Sequence, residues 1–520
     1  EMSASLVGSE MCIRDRFKKV KEKYHNMKIL PYLTIAASAL PALAQTPTSP
    51  ETVWLGIGQD WSLDSNWSAG LPSDSVSAVF NSTVNNGTIA NINGDAYVND
   101  LYFYDGFALG SNGNYDINIS GSLNVAGNFY YANLRTEVWG GLRLAGTGSK
   151  LAIAGDATFE ASSLTEEQSI AYNNGAVDVQ IGRAASSNPM FSEISIGGNL
   201  NISTGNSSYS AKVSMASETV NIGGVVNLAN SNSTFAVLRA TLNNPEYVSN
   251  QTWGGLTGSG IVMVEAAPWS DNARYDSVFT ANITLANKSD QTFTGQVKYV
   301  NINDGGYVNT SAIHLTMDAE NPSATQTMTL GGSAGFTTVS VKNGTLRYSA
   351  PAASETLSVS GGKLILTNAS VAQGDLAMSG GAFGAENGGA TVKSLAWTGG
   401  SLVFGAAGFY DGLPDAITVE GAFSKNSIDK IAVDFSGLDA GSLIGEEPMT
   451  ILTAGSYEGL STSEDADEYF TAINLYNAFA NFEWDGNSLT VAFSQVPEPA
   501  ELAAVLGAFA LFAAIRRRAK

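Results

Sequence analysis

Apolar residues recur at every second position in short runs along most of the chain, and glycine, serine, threonine and asparagine fill the intervals. KLILTN at 363–368 and GDLAMS at 374–379 show the pattern in its shortest form. A period of two puts alternate side chains on opposite faces of a strand, so the chain predicts many short strands and no amphipathic helix in its body.

Superimposed on that alternation is a longer repeat. Glycine pairs stand at 361/362, 380/381 and 399/400, 19 residues apart, and Asn343-Gly344 precedes them by 18. Two apolar series keep the same step: Leu346, Leu364, Phe383 and Leu402, and Val339, Leu357, Leu376 and Leu395. Similar texture with looser spacing occurs in GSLNVAG at 121–127, GLRLAG at 141–146, GGNLNIS at 197–203 and GGVVNLAN at 223–230. Stacked units of this kind predict an all-β fold, a right-handed parallel β-helix (β-solenoid) over 81–446, clearest at 337–405. Turns of about 19–25 residues would give about 18–23 turns and a rod near 100 Å. A set of β-sandwiches would also show short strands, but its strands have no reason to repeat their sequence every 19 residues.

Two segments depart from the repeat and are expected to close its open ends. Residues 45–80 carry Trp54, Trp61 and Trp67, and 447–494 run from EPMTIL to FEWDGNSLTVAF. The tryptophans could stack on sugar rings, but in a cap they belong in a core.

The ends of the chain have a different character. Residues 1–16 resemble translated sequencing adapter and carry no weight for the fold. From Met27, Lys28 and an apolar run over 29–43 lead to Ala42-Leu43-Ala44, so 27–44 is expected to be a signal peptide, cut by signal peptidase to leave Gln45 first. At 495–520, Val496-Pro497-Glu498-Pro499 precedes residues 500–515, which are apolar except for Glu501, and then Arg516, Arg517, Arg518 and Lys520. Sixteen helical residues would span about 24 Å, enough for one transmembrane helix with its basic end in the cytoplasm.

That order of Pro-Glu-Pro, apolar span and arginine cluster resembles the PEP-CTERM sorting domain of Gram-negative bacteria. The resemblance implies recognition by an exosortase, cleavage near 496–499, and release or transfer to the cell surface in bacteria that form biofilms rich in exopolysaccharide. The repeat body resembles autotransporter-type β-helix passengers in texture. An autotransporter-like adhesin is therefore a further alternative, although the strand series of a membrane barrel is missing from this sequence.

Charge and composition narrow the function. Only 14% of the 520 residues are charged, and 55 are glycine. Residues 45–495 hold 15 Lys/Arg and 42 Asp/Glu, a net −27, which excludes nucleic acid and anionic lipid as ligands of the body. The one cysteine, Cys12, and His25 lie upstream, so His314 is the body's only histidine. It alternates with apolar residues in AIHLTMD and reads as a strand residue. No His-Glu-x-x-His or phosphate loop occurs, and the acidic run at 464–468 lacks the glycine and closing glutamate of a calcium loop. No catalytic, metal or cofactor residue is assigned. The expectation is a non-enzymatic surface or matrix protein, adhesive or exopolysaccharide-associated; the alternative is a carbohydrate-active enzyme using a carboxylate pair.

Overall fold

A computed structural model describes residues 49–496 and 516–517, apart from 82–88, 106–113, 134–139, 162–175, 183–189, 206–209, 242–245, 268–277, 405–408 and isolated positions at 301–302, 305–306, 309, 369, 387, 411–412, 415 and 437. The chain winds through three columns of strands, named A, B and C in the order of one full turn from residue 89. Ile89–Ile92 enters column A, Asp95–Val98 column B and Leu101–Asp105 column C. The next turn repeats the path with Asn114–Ile119, Ser122–Val125 and Phe129–Asn133, each parallel to the strand one turn earlier.

Column C passes through sixteen strands among the described residues, from Glu51–Val53 to Phe470–Ile473. At about 4.8 Å per level the column is about 70 Å long, shorter than the sequence repeat implies. The reason is that turns are not of one length. Column A ends at Gln296–Val300, and beyond it each turn holds two strands instead of three, as in Thr338–Asn343 with Thr345–Ser349. Only these compact turns have the 18–19-residue step. In the three-stranded part, aligned column C residues such as Leu101, Phe129 and Ala157 are 28 apart, and Leu200 follows 43 later.

Both apolar series read from the sequence are vertical stacks. Val339, Leu357, Leu376 and Leu395 pair successively in column B, and Leu346, Leu364, Phe383 and Leu402 in column C. All are buried in one continuous core that extends from Trp54 to Phe493. Each such side chain contributes about 1.5–3 kcal/mol by leaving water.

The corner between columns B and C carries a second ladder. Asp100 Oδ1 accepts the Asn128 N–H at 2.7 Å, Asn128 Oδ1 the Asp156 N–H at 2.9 Å, Asp156 Oδ1 the Asn199 N–H at 2.6 Å, and Asn199 Oδ1 the Val225 N–H at 2.8 Å. Every step satisfies a backbone donor that the corner would otherwise leave unpaired. The glycine before each acceptor's successor makes room for it: a Cβ on Gly198 would stand 2.2 Å from Asp156 Oδ1.

The ends are closed differently. Trp54, Trp61 and Trp67 are almost fully buried over Phe80, and Trp67 packs edge-on against the other two at 4.8–4.9 Å. Their segment pairs with the first strands: Trp61 N–H donates to Asn91 O, and Ser68 N–H to Val53 O. At the far end Met449–Glu458 pairs antiparallel with Ser488–Gln495, which pairs with Ala478–Asp485. The closing hairpin is thus narrower than the 447–494 unit expected, because Met449–Glu458 and Phe470–Ile473 still belong to the parallel columns.

No helix among the described residues is long and apolar enough to cross a membrane. The expected signal peptide at 27–44 and transmembrane span at 500–515 lie outside the described residues.

Candidate functional site

Among the described residues, the outer face of column B presents a regular surface. Inward positions are apolar in most of its strands, Ser249 and Gln251 being buried exceptions, so outward positions line up in register from turn to turn. One ladder runs Thr219, Asn250, Asn282, His314, Thr338, Thr356, and a second, two residues on, runs Asn221, Thr252, Thr284, Thr316, Ser340, Ser358. None of these twelve side chains is buried, and none is an acid, a lysine or an arginine. Six levels at about 4.8 Å give a strip about 24 Å long, with about 6.7 Å between the ladders.

Within the strip several side chains bond along the column. Asn282 Nδ2 donates to Asn250 Oδ1 at 2.9 Å, Ser358 Oγ to Ser340 Oγ at 2.9 Å, and His314 Nδ1 lies 2.8 Å from Thr338 Oγ1. The remaining hydroxyls and amide groups face solvent. His314, read as a strand residue, is one, and it belongs to this grid.

Acids on the same ladder are few and far apart. Asp95, Glu193 and Asp375 occupy levels separated by three and then seven steps, about 14 Å and about 34 Å. Each is engaged: Asp95 by Ser122 Oγ at 2.7 Å, Glu193 by Lys150 at 3.1 Å, and Asp375 by Ser394 Oγ at 2.7 Å. A glycosidase pair must sit about 5–9.5 Å apart, so these acids do not form one. Column A also carries ion pairs, where Asp116 meets Arg143 at 3.8 Å and Glu265 meets Lys212 at 3.1 Å.

A second cluster occupies the outer face of column C near its start. Tyr102 and Tyr130 are buried although they alternate with the core residues Leu101, Phe103, Phe129 and Tyr131, and they pack with Val79, Ala132 and Tyr104. Tyr130 donates to Glu160 Oε2 at 3.1 Å. Burial raises the Tyr102 hydroxyl to about 12, with Asp100 adding to the effect, and raises Tyr104 and Tyr130 as well. Burial also raises the Glu160 carboxyl, partly offset by the Tyr130 hydrogen bond.

These shifts have a defined sign. The folded chain holds the Tyr102 proton more tightly than the unfolded chain, so that stabilisation is complete below pH 10 and is lost as pH rises through about 12. Alkaline titration followed by tyrosinate absorbance is expected to show a group of tyrosines that ionise late, together with unfolding. Glu160 is raised too, so its contribution is present in acid and declines as pH rises. Glu160→Gln should therefore leave neutral-pH stability unchanged or slightly higher in urea unfolding. A loss above ~1 kcal/mol would count against this reading.

Trp54, Trp61 and Trp67 are core and offer no sugar-stacking face. The acidic run is a short turn in which Asp465 caps Asp467 N–H and Tyr469 donates to Glu464; among the described residues no cluster of acids and histidines gathers as a metal site. Val496 is exposed, and Arg516 and Arg517 are exposed and helical. Ala42, Ala44, Gln45, Pro497, Glu498, Pro499, Arg518 and Lys520 lie outside the described residues. The grid itself was not legible as a site. Asn-Gln-Thr at 250–252, Asn-Ile-Thr at 282–284 and His-Leu-Thr at 314–316 are 32 residues apart and could have revealed it, but the step then changes to 24 and 18.

The chain matches no protein-family model, no curated protein and no solved structure.

Proposed function

We propose that this protein is an exported, non-enzymatic surface or matrix β-solenoid, wound right-handed, whose uncharged face on column B lies against extracellular polysaccharide. The observation that carries the reading is the six-level grid of hydroxyls and amides on an otherwise acidic body. Right-handed winding follows the general preference of parallel crossovers. The A-x-A segment and the Pro-Glu-Pro, apolar and arginine series support processing by signal peptidase and an exosortase, with a transient membrane stage before surface delivery.

A flat, uncharged lattice suits a polymer whose own hydroxyls repeat. Each hydrogen bond adds only about 0.5–1.5 kcal/mol net, but linked levels act together once the first is engaged. The enzymatic alternative has less support, because the outward acids on the His314 ladder, Asp95, Glu193 and Asp375, stand too far apart for glycoside hydrolysis.

The test is co-sedimentation of the purified protein with an insoluble uncharged polysaccharide such as regenerated cellulose. Thr284→Asp with Thr316→Asp is expected to weaken binding about tenfold or more, by desolvation of charge at the centre of the grid, while stability changes by less than ~1 kcal/mol. Equal binding by the double variant, or steady depolymerisation of the polysaccharide by the wild-type protein, would overturn the proposal.

A further inference from the structure

Four of the exposed large apolar side chains lie near residue 496, where the expected sorting segment begins; others lie in the opposite cap at Ile57, Leu63 and Leu71. Ile473, Tyr476, Phe479 and Val496 are 37%, 75%, 53% and 40% exposed. They belong to the end of Phe470–Ile473, the connection after it, and the two strands of the closing hairpin. Register places them together: Ala478 pairs with Gln495 and Phe479 with Ser494, so Val496 follows directly beyond the last pair.

The connection is held, not loose. Asn474 and Asn477 adopt φ of 53° and 59°, the left-handed region that asparagine tolerates better than most residues. Asn474 Nδ2 donates to Asp434 Oδ1 at 3.0 Å, and Leu475 packs on the core. Tyr476 is therefore presented outward by a defined turn. Residues 473–482 and 486–497 contain no charged side chain, in a protein that is otherwise strongly acidic. Asp434 stands at the tip's inner side. Glu446 and Glu447 precede Met449–Glu458, which flanks the other edge of Ser488–Gln495.

We infer that this tip contacts the lipid headgroup boundary while the chain is still anchored, through Tyr476, Phe479 and Val496. The inference rests on the reading of 500–515 as a membrane span. Three residues, two of them proline, separate Val496 from Ala500, so the four steps of chain hold the tip within about 12–14 Å of any bilayer that residue 500 enters. The polar layer of a bilayer is about 5–8 Å deep on each side, so the tip reaches it or stands immediately above it. Tyrosine and phenylalanine gain there by burying their rings, and tyrosine keeps its hydroxyl in the polar layer. The flanking glutamates select zwitterionic over anionic headgroups.

The full chain, with Cys12→Ser, is reconstituted in phosphatidylcholine vesicles and labelled with an environment-sensitive dye at one introduced cysteine: Tyr476→Cys, Ala508→Cys or Ile57→Cys. Ile57 is 73% exposed in the opposite cap and serves as the distant position. Headgroup-proximal nitroxide lipid is expected to quench the dye at 476 about twofold or more and leave 57 unquenched, with 508 quenched by nitroxide deeper in the acyl chains. Quenching at 508 without quenching at 476 would overturn the tip contact alone. No quenching at 508 would overturn the membrane span, and the tip contact with it. Equal quenching at 57 and 476 would show non-specific adsorption and also overturn it.

Discussion

Gly381→Ala is expected to destabilise the protein by about 3 kcal/mol or more, whereas Gly148→Ala should cost only about 1–2 kcal/mol. The two glycines have nearly the same backbone angle, φ of 62° and 64°. Around Gly148 an added Cβ meets nothing within 4 Å, but at Gly381 it would stand 2.5 Å from Gly362 O and 2.6 Å from Gly361 C. The difference between the variants therefore measures how closely successive turns approach at the corner. Gly381 lies inside Gln373–Ala385, a strand that passes from column B to column C without interruption, so neither its own turn nor the one above can yield easily. Urea or thermal unfolding of both variants checks this. Equal losses would mean that φ alone, not the inter-turn distance, explains the repeated glycine pair.

Trp54→Ala should be the most damaging change in the cap, costing about 3–5 kcal/mol. Trp54 is 1% exposed and packs on Trp67 at 4.9 Å, Phe80 at 5.7 Å and Trp61 at 6.3 Å. Its loss would empty the stack that covers the first turn and bare strand edges to which other chains can add. Aggregation on mild heating, read by light scattering, is the expected sign. Trp54→Phe provides the contrast. The Trp54 indole N–H is buried with no hydrogen-bond partner, so removing it relieves a penalty of about 1–3 kcal/mol while the smaller ring gives up some packing. A near-neutral Trp54→Phe beside a severe Trp54→Ala would identify the residue as a packing element. If both were mild, the cap would not be protecting the column.

The sequence by itself determined the strand content, the parallel stacking at 337–405 and the choice of core residues there, because period-two alternation and an 18–19-residue step act directly on neighbours in the column. Leu357 over Val339 and Phe383 over Leu364 were legible for that reason. Only the tertiary structure decided that earlier turns contain a third strand, that the column is about 70 Å long, and that Asp100, Asn128, Asp156 and Asn199 form one ladder. Those relations join residues 26 to 43 positions apart across connections of unequal length, so no fixed period marks them. The uncharged grid is hidden in the same way. Thr219, Asn250, Asn282, His314, Thr338 and Thr356 are unremarkable as separate letters, and parallel register alone makes them one surface.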